Sequence, residues 1–163
     1  FGATVSGRPA DLPGADRLLG LFINTLPMIV ALEPEREKIS WLRDLQERNI
    51  ALREHEQTPL YEIQRWAGRS GEGLFDSILV FENYPMDEAL QQAEPGGLFF
   101  SGLGVRETTN YPMTVSILQS DTLHLHYSYL CTHFSEAVVE SIAEQVTKLL
   151  KHIARGRTCL CAR

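Results

Sequence analysis

Apolar side chains recur every three or four residues in three segments, which is the spacing of one helix face. The clearest is Glu35 to Glu54, where charged residues surround an apolar stripe. A shorter helix is predicted after Pro59, which suits a first helical turn, and Gly68 to Gly73 ends it. The last is expected from Ser135, a good N-cap, to Gly156. The residues on these faces are Ile39, Leu42, Leu45, Asn49 and Leu52, then Leu60, Ile63 and Trp66, then Val139, Ile142, Val146, Leu149 and Ile153.

Runs rich in branched and aromatic residues predict six strands, separated by loops over 11–20 and 86–97. The polar stretch Gln119-Ser120-Asp121 joins the last two strands and is typical of a hairpin. Helices and strands therefore mix within one layered α/β domain, with a mixed sheet packed by helices. The predicted strands are Phe1 to Arg8, Leu21 to Leu32 with an interruption at Pro27, Leu74 to Phe81, Leu98 to Val105, Met113 to Leu118 and Leu123 to Leu130.

Composition narrows the class of protein. A chain of 163 residues suits one domain. The net charge of −6 and the scattered basic residues argue against nucleic-acid binding. No apolar run reaches the roughly 18–20 residues that would span a membrane, and no secretory signal opens the chain. The three cysteines do not form a closed disulfide set, so we expect reduced thiols in the cytoplasm. Because residue 1 is Phe rather than Met, we also expect a piece of a longer polypeptide.

Few residues carry a chemical signal by themselves. His124 and His126 point to the same side of a strand, as metal ligands or as part of a solvated face, and without a third ligand we predict no metal. A pair of Cys131 and His133 lacks an orienting third group, so we predict no catalytic residue. Arg106 could hold a carboxylate of a substrate, although a structural ion pair is favoured.

Three segments, in order, resemble the last three core motifs of the condensation domains of nonribosomal peptide synthetases. Leu19 to Pro27 contains Gly-Leu-Phe-Ile-Asn-Thr-Leu-Pro, and His55 to Glu62 contains His-Glu-Gln-Thr-Pro-Leu-Tyr-Glu. Arg106 to Met113 is similar to the final motif, although Glu107 and Tyr111 depart from it. The resemblance covers about residues 1–155, and we treat 156–163 as an atypical tail without a functional account.

The resemblance implies a chloramphenicol-acetyltransferase-like lobe, namely the C-terminal half of a domain that forms amide bonds between carrier-bound aminoacyl or peptidyl thioesters. Its expected partners are the N-terminal lobe, peptidyl carrier proteins and an adjacent adenylation domain. No cofactor is expected to bind directly, because the carriers present phosphopantetheine. The family's His-His-x-x-x-Asp-Gly motif is absent from this sequence, so we expect no amide formation by this chain alone. The alternative is a non-catalytic module that docks a carrier protein.

The resemblance also proposes site residues. Phe22, Asn24 and Thr25 match the segment that runs beside the lobe interface and the substrate channel. Asn24 could bind backbone or pantetheine amides, or it could hold a local turn. Four motif residues are expected to be structural rather than to touch substrate: Arg106, Asn110, Pro59 and Glu62.

Overall fold

The computed structural model describes residues 1–7, 12–82, 109–119 and 121–155. Its five strands are β1 (Gly2–Ser6), β2 (Ile23–Pro27), β3 (Ser77–Glu82), β4 (Met113–Gln119) and β5 (Leu123–Tyr129). The helices described are α1 (Lys38–Arg53), α2 (Leu60–Trp66) and α3 (Glu136–Ala154), with a short 3-10 turn at Ala15–Arg17. The strands form one sheet in the order β2-β1-β3-β4-β5. The predicted mixed, layered α/β fold is confirmed.

The sheet combines parallel and antiparallel pairs. β1, β3 and β4 are parallel neighbours, whereas β2 pairs antiparallel with β1 and β5 with β4. The predicted hairpin is confirmed, because β4 and β5 pair from Met113 with Tyr129 to Gln119 with Leu123. The predicted strand Leu98 to Val105 and the loop over 86–97 lie outside the described residues.

Of the buried side chains of the described strands, three lie on one face of the sheet, the core face, whereas those of Ile78 and Thr114 are buried on the other. Val5, Leu26 and Met113 are buried, and the strand register places all three on this face. Tyr129 shares the face, since it pairs with Met113. Burial, followed by the charges of nearby Glu136, Cys131 and Glu140, raises the pKa of Tyr129. The opposite face carries small polar residues such as Thr25, Thr114 and Ser128.

Helix α1 differs from its prediction in two ways. It begins at Lys38 rather than Glu35, because the Glu37 carboxylate caps it by accepting hydrogen bonds from the backbone N–H groups of Ile39 (3.2 Å) and Ser40 (2.8 Å). No residue of α1 is buried, so its apolar stripe is only partly covered by the rest of the described chain. The helix uses only a narrow, half-buried strip against the rest of the described chain, and charged residues occupy most of its circumference.

Helix α3 is buried only near its beginning. Ser135 occupies the predicted N-cap position, but its side chain makes no capping hydrogen bond. Val139 is buried and Val146 half-buried, whereas Leu149 and Ile153 are exposed, so the predicted apolar face is covered in its first turns alone. No helix in the described part of the chain is long and apolar enough to cross a membrane.

Two strands are shorter than their apolar runs. β2 ends at Pro27 instead of continuing to Leu32, and its last bond to the neighbouring strand runs from the N–H of Met28 to the carbonyl of Phe1 at 2.8 Å. β3 starts at Ser77 rather than Leu74, and only Ile78 within it is buried. The apolar run from Leu74 is consistent with a buried strand, but the strand it forms is mostly half-buried. A half-buried strand in a mixed sheet tolerates the same residues.

Tyr127 offers a test of the packing beneath the sheet. Its hydroxyl oxygen is buried and has no hydrogen-bond partner among the described residues. Burial also raises the pKa of this phenol. A buried hydroxyl without a partner costs stability, so Tyr127→Phe should leave the free energy of unfolding unchanged or raise it by about 1 kcal/mol. Urea unfolding of both proteins at neutral pH measures the difference. A loss of stability would show that the hydroxyl has a partner in the folded protein.

Candidate functional site

The first motif-like segment forms β2, and Asn24 lies at the centre of this strand. Asn24 pairs with Val5 of β1, and its side chain is half-buried. The side-chain Oδ1 accepts a hydrogen bond from the backbone N–H of Thr25 at 2.9 Å. The amide nitrogen points away from β1, towards the connection between α1 and α2.

The second motif-like segment forms that connection. Helix α1 ends in tight turns, in which the N–H groups of Glu54, His55 and Glu56 bond to carbonyls three residues earlier. Pro59 then takes an extended conformation at the N-cap of α2, so the chain reverses over 54–58 before the second helix starts. The turn leaves carbonyl oxygens of the loop pointing at β2.

Asn24 binds two of those carbonyls. Its Nδ2 donates to the oxygen of Glu56 at 2.9 Å and to the oxygen of Thr58 at 2.6 Å. The side chain of Gln57 donates to the carbonyl of Gly7 at 3.2 Å, just beyond β1. We call this set, Gly7, Asn24, Glu56, Gln57 and Thr58, the Asn24 junction. It joins two of the three motif-like segments, which are more than thirty residues apart in the chain.

Gly7 has a steric role in the junction. A Cβ atom built on Gly7 would lie 2.5 Å from the carboxylate oxygen Oε1 of Glu56. The backbone N–H of Gly7 extends the β1–β2 ladder by donating to the carbonyl of Phe22 at 3.3 Å. A larger residue at this position would displace the Glu56 side chain from the junction.

The contacts of Asn24 bear on its two predicted roles. A side-chain amide has two N–H donors, and both backbone carbonyls of the turn engage its nitrogen. Asn24 therefore holds a turn that is more than thirty residues away in the chain, a contact that neither the local-turn nor the pantetheine interpretation described. The sequence analysis did not predict the junction. The only signal for it in the sequence is that both motif-like segments occur in one chain.

Phe22 and Thr25, the other channel candidates, lie on either side of Asn24. Phe22 is half-buried immediately before β2. Thr25 faces the opposite side of the sheet, where its methyl group lies 2.8 Å from the position that a Cβ on Gly2 would take. The three candidates therefore share one strand segment but not one face.

The segments that flank β2 present an apolar surface. Leu19 is fully exposed, and the exposed fractions are 85% for Leu21, 82% for Ile29 and 80% for Leu32. We call these four residues the β2-flanking surface. Trp41 of α1 fixes the second flank, because its Nε1 donates to the carbonyl of Ala31 at 3.0 Å. Large apolar side chains this exposed, on both flanks of one strand, are a feature that interaction surfaces share.

The third motif-like segment makes a packed turn into β4. Tyr111 stacks on Phe75 with ring centroids 5.3 Å apart, and burial raises the pKa of its phenol. Thr109 supports the turn through hydroxyl contacts of 2.7 Å with Thr114 and 3.3 Å with the N–H of Tyr111. Asn110 is exposed, and Arg106 lies outside the described residues. The aromatic stack is a contact that sequence reasoning missed.

The two remaining motif residues lie at the start of α2. Pro59 is the N-cap residue, and Glu62 in the first turn makes an ion pair with Arg65 on the same helix. The Arg65 side chain is largely exposed, so the pair contributes little stability. Both residues have local structural contacts at the start of α2.

The histidine and cysteine candidates lie on the surface. His124 contacts the hydroxyl of Thr122 through Nε2 at 2.9 Å, and His133 contacts the hydroxyl of Thr132 through Nδ1 at 3.0 Å. His126 and Cys131 are exposed. Within residues 1–7, 12–82, 109–119 and 121–155, no three His, Cys, Asp or Glu side chains are grouped so that they could hold a metal ion.

Comparison with known proteins gives a consistent result. The family described as "Condensation domain" matches residues 1–161. The chain is 40% identical over 165 aligned positions to a linear gramicidin synthase protein of Brevibacillus parabrevis, covering 96% of this chain and 3% of that protein. It is 38% identical over 156 positions to chondramide synthase cmdD of Chondromyces crocatus, covering 95% of this chain and 4% of that protein. It is 34% identical over 159 positions to tyrocidine synthase 2 of Brevibacillus parabrevis, covering 96% of this chain and 4% of that protein. The chain therefore spans only a small part of the length of these relatives.

Proposed function

The chain belongs to the condensation-domain family, and from this premise we propose that it is the C-terminal half of such a domain within a nonribosomal peptide synthetase. The domain would join carrier-bound aminoacyl and peptidyl groups through an amide bond. In this proposal the half spans residues 1–155, and 156–163 form an atypical tail. The synthetase would act in the cytoplasm.

The observation that carries this proposal is the Asn24 junction beside the β2-flanking surface. Two motif-like segments meet through hydrogen bonds of 2.6 and 2.9 Å, which tie β2 and the turn between α1 and α2 into one hydrogen-bonded unit. Leu19, Leu21 and Ile29 extend from that unit into solvent. An apolar surface on a rigid base supports the idea that a further lobe covers it.

This half would supply a wall and a scaffold. Because the sequence has no His-His-x-x-x-Asp-Gly, it offers no positioned histidine that could handle the proton of the attacking amine. Phe22 and Thr25 are the channel-wall candidates, and Asn24 would contribute by fixing the turn next to them. Peptidyl carrier proteins would present phosphopantetheine thioesters, and an adenylation domain would adjoin the half in the complete synthetase.

The test is complementation. This chain is co-expressed with the N-terminal lobe of a related condensation domain, and dipeptide formation is measured on loaded carrier proteins. We expect product only when both halves are present, because neither half holds both the histidine and the complete channel. Product from this chain alone would contradict the proposal.

A matched pair of variants tests the surface. Leu21→Asp places a charge on the β2-flanking surface and should lower product by about tenfold or more, since an apolar contact would then enclose an unpaired carboxylate. Leu149→Asp changes an exposed leucine on α3 and should leave product formation unchanged. Equal losses from both variants would contradict a specific interface at β2.

The carrier-docking module remains the alternative. It predicts binding of a carrier protein by this chain alone, with no gain in product when the N-terminal lobe is added. Measuring carrier binding in the same samples separates the two functions.

A further inference from the structure

Asn24 lies on a terminal strand of the described sheet, where a strand could pair with another chain. The bonds from Gly7 N–H to the Phe22 carbonyl and from Met28 N–H to the Phe1 carbonyl show which residues of this segment face β1. Backbone groups alternate in direction along an antiparallel ladder. The groups of Ile23, Thr25 and Pro27 therefore point away from β1, towards the outer edge.

The outward donors of this edge are largely blocked. The N–H of Thr25 donates to Oδ1 of Asn24 at 2.9 Å, and Pro27 has no N–H. Of the three outward positions in the described strand, only Ile23 is neither a proline nor a residue whose N–H donates to the Asn24 side chain. An incoming strand needs donors and acceptors at every second residue, so two adjacent outward positions without a donor interrupt the ladder.

A loop lies beside the same edge. The side-chain amide of Asn24 accepts from the Thr25 N–H through Oδ1. Through Nδ2 it donates to the carbonyls of Glu56 and Thr58 at 2.9 and 2.6 Å. The turn over 54–58 is thereby tied to the edge of β2. Prolines and covering loops are the devices by which proteins prevent strand addition at sheet edges.

We propose that Asn24 and Pro27 close the outer edge of β2 to strand addition, and that Asn24 is the positioning residue that ties the 54–58 turn to this edge. The inference goes beyond the proposed function and does not rest on it, because every contact involved lies within this chain. It also assigns separate tasks to the two ends of one side chain: Oδ1 protects a strand donor, and Nδ2 holds the turn.

Amide hydrogen exchange, followed by NMR on the full chain, tests the two tasks separately. Asn24→Ala removes both ends, so the amide of Thr25, which loses its own hydrogen bond, should exchange about tenfold faster. The amides of Glu56 and Thr58 should also exchange faster, because the turn that contains them loses its two bonds to Nδ2. Asn24→Asp keeps an acceptor and loses the donors. In this variant Thr25 should stay protected, whereas Glu56 and Thr58, whose N–H groups bond to Arg53 and His55, should exchange faster.

Two internal references separate these effects from general loss of stability. The amide of Leu26 faces β1 and should change by less than about twofold in both variants, because its ladder bond is retained. Asn49→Ala, at an exposed position of α1, should behave as the unchanged protein. If Asn24→Ala does not fold, the exchange of Thr25 relative to Glu56 and Thr58 in Asn24→Asp alone decides between the outcomes. Equal acceleration of Thr25 and Leu26, or of Thr25 in both Asn24 variants, would overturn the assignment.

Self-association tests closure of the edge. The double variant Asn24→Ala with Pro27→Thr restores outward N–H groups, and sedimentation velocity should show association at least about tenfold tighter than in the unchanged chain. Association through the β2-flanking surface affects both proteins equally, so the ratio isolates the edge. Equal association of the double variant and the unchanged chain would overturn the proposal.

Discussion

Replacing Leu26 with alanine should lower the free energy of unfolding by about 2–5 kcal/mol, the usual cost of removing a fully buried leucine. Leu26 is 0% exposed and lies on the core face of β2. It is paired with Ala3 across the β1–β2 ladder, and a small neighbour cannot expand to fill the space. Urea unfolding, monitored by tryptophan fluorescence and far-UV circular dichroism, measures the change.

Leu19→Ala is the matched control for that prediction. It removes the same atoms from the same segment, but Leu19 is fully exposed, so the change should stay within about 0.5 kcal/mol. Because both variants remove the same atoms, the difference between their free energies of unfolding measures the effect of burial. If the two variants had the same stability, Leu26 would not be part of a packed core in solution.

Gly2→Ala should lower the free energy of unfolding by about 1–3 kcal/mol, although alanine is ordinarily the better residue in a strand. A Cβ at Gly2 would lie 2.4 and 2.7 Å from two ring carbons of Phe75 and 2.8 Å from the methyl carbon of Thr25. The Phe75 ring cannot move freely, because it stacks on Tyr111. The added methyl group must therefore disturb both strands and the turn that enters β4.

The control for Gly2 is Gly73→Ala, where the nearest atom, the carbonyl oxygen of Phe75, would be 3.8 Å away. That distance is ordinary contact, so the variant should be as stable as the unchanged chain or slightly more stable. Phe75→Leu in the Gly2→Ala background should recover part of the loss, since it removes the ring that clashes. Additive effects of these two substitutions would contradict a direct clash.

The same contact explains a departure from the family pattern. Tyr111 stands where the resemblance expects Asn, and its ring supplies the stack with Phe75. Gly2, Phe75 and Tyr111 together join β1, the approach to β3 and the entry to β4. The third motif-like segment therefore packs on the face of the sheet that carries Gly2, Thr25 and Thr114, while the first two meet at the Asn24 junction.

Local sequence patterns predicted the helices and strands of this protein well. Helical spacing in 35–54 and after Ser135 predicted α1 and α3, and the polar stretch at 119–121 predicted the β4–β5 hairpin. These features depend on residues close in the chain, because caps, turns and periodicity act over a few residues. The motif order was likewise visible in the sequence alone and led to the family to which the chain belongs.

Tertiary structure alone decided which apolar residues are buried and what the motif residues contact. Leu26 and Leu21 stand in one apolar run, yet one is fully buried and the other largely exposed, because the strand register and Pro27 determine which positions meet the core. The partners of Asn24 are 32 and 34 residues away, a separation that no local pattern encodes. Sequence therefore determined the elements and the family, and packing between distant segments determined the task of each side chain.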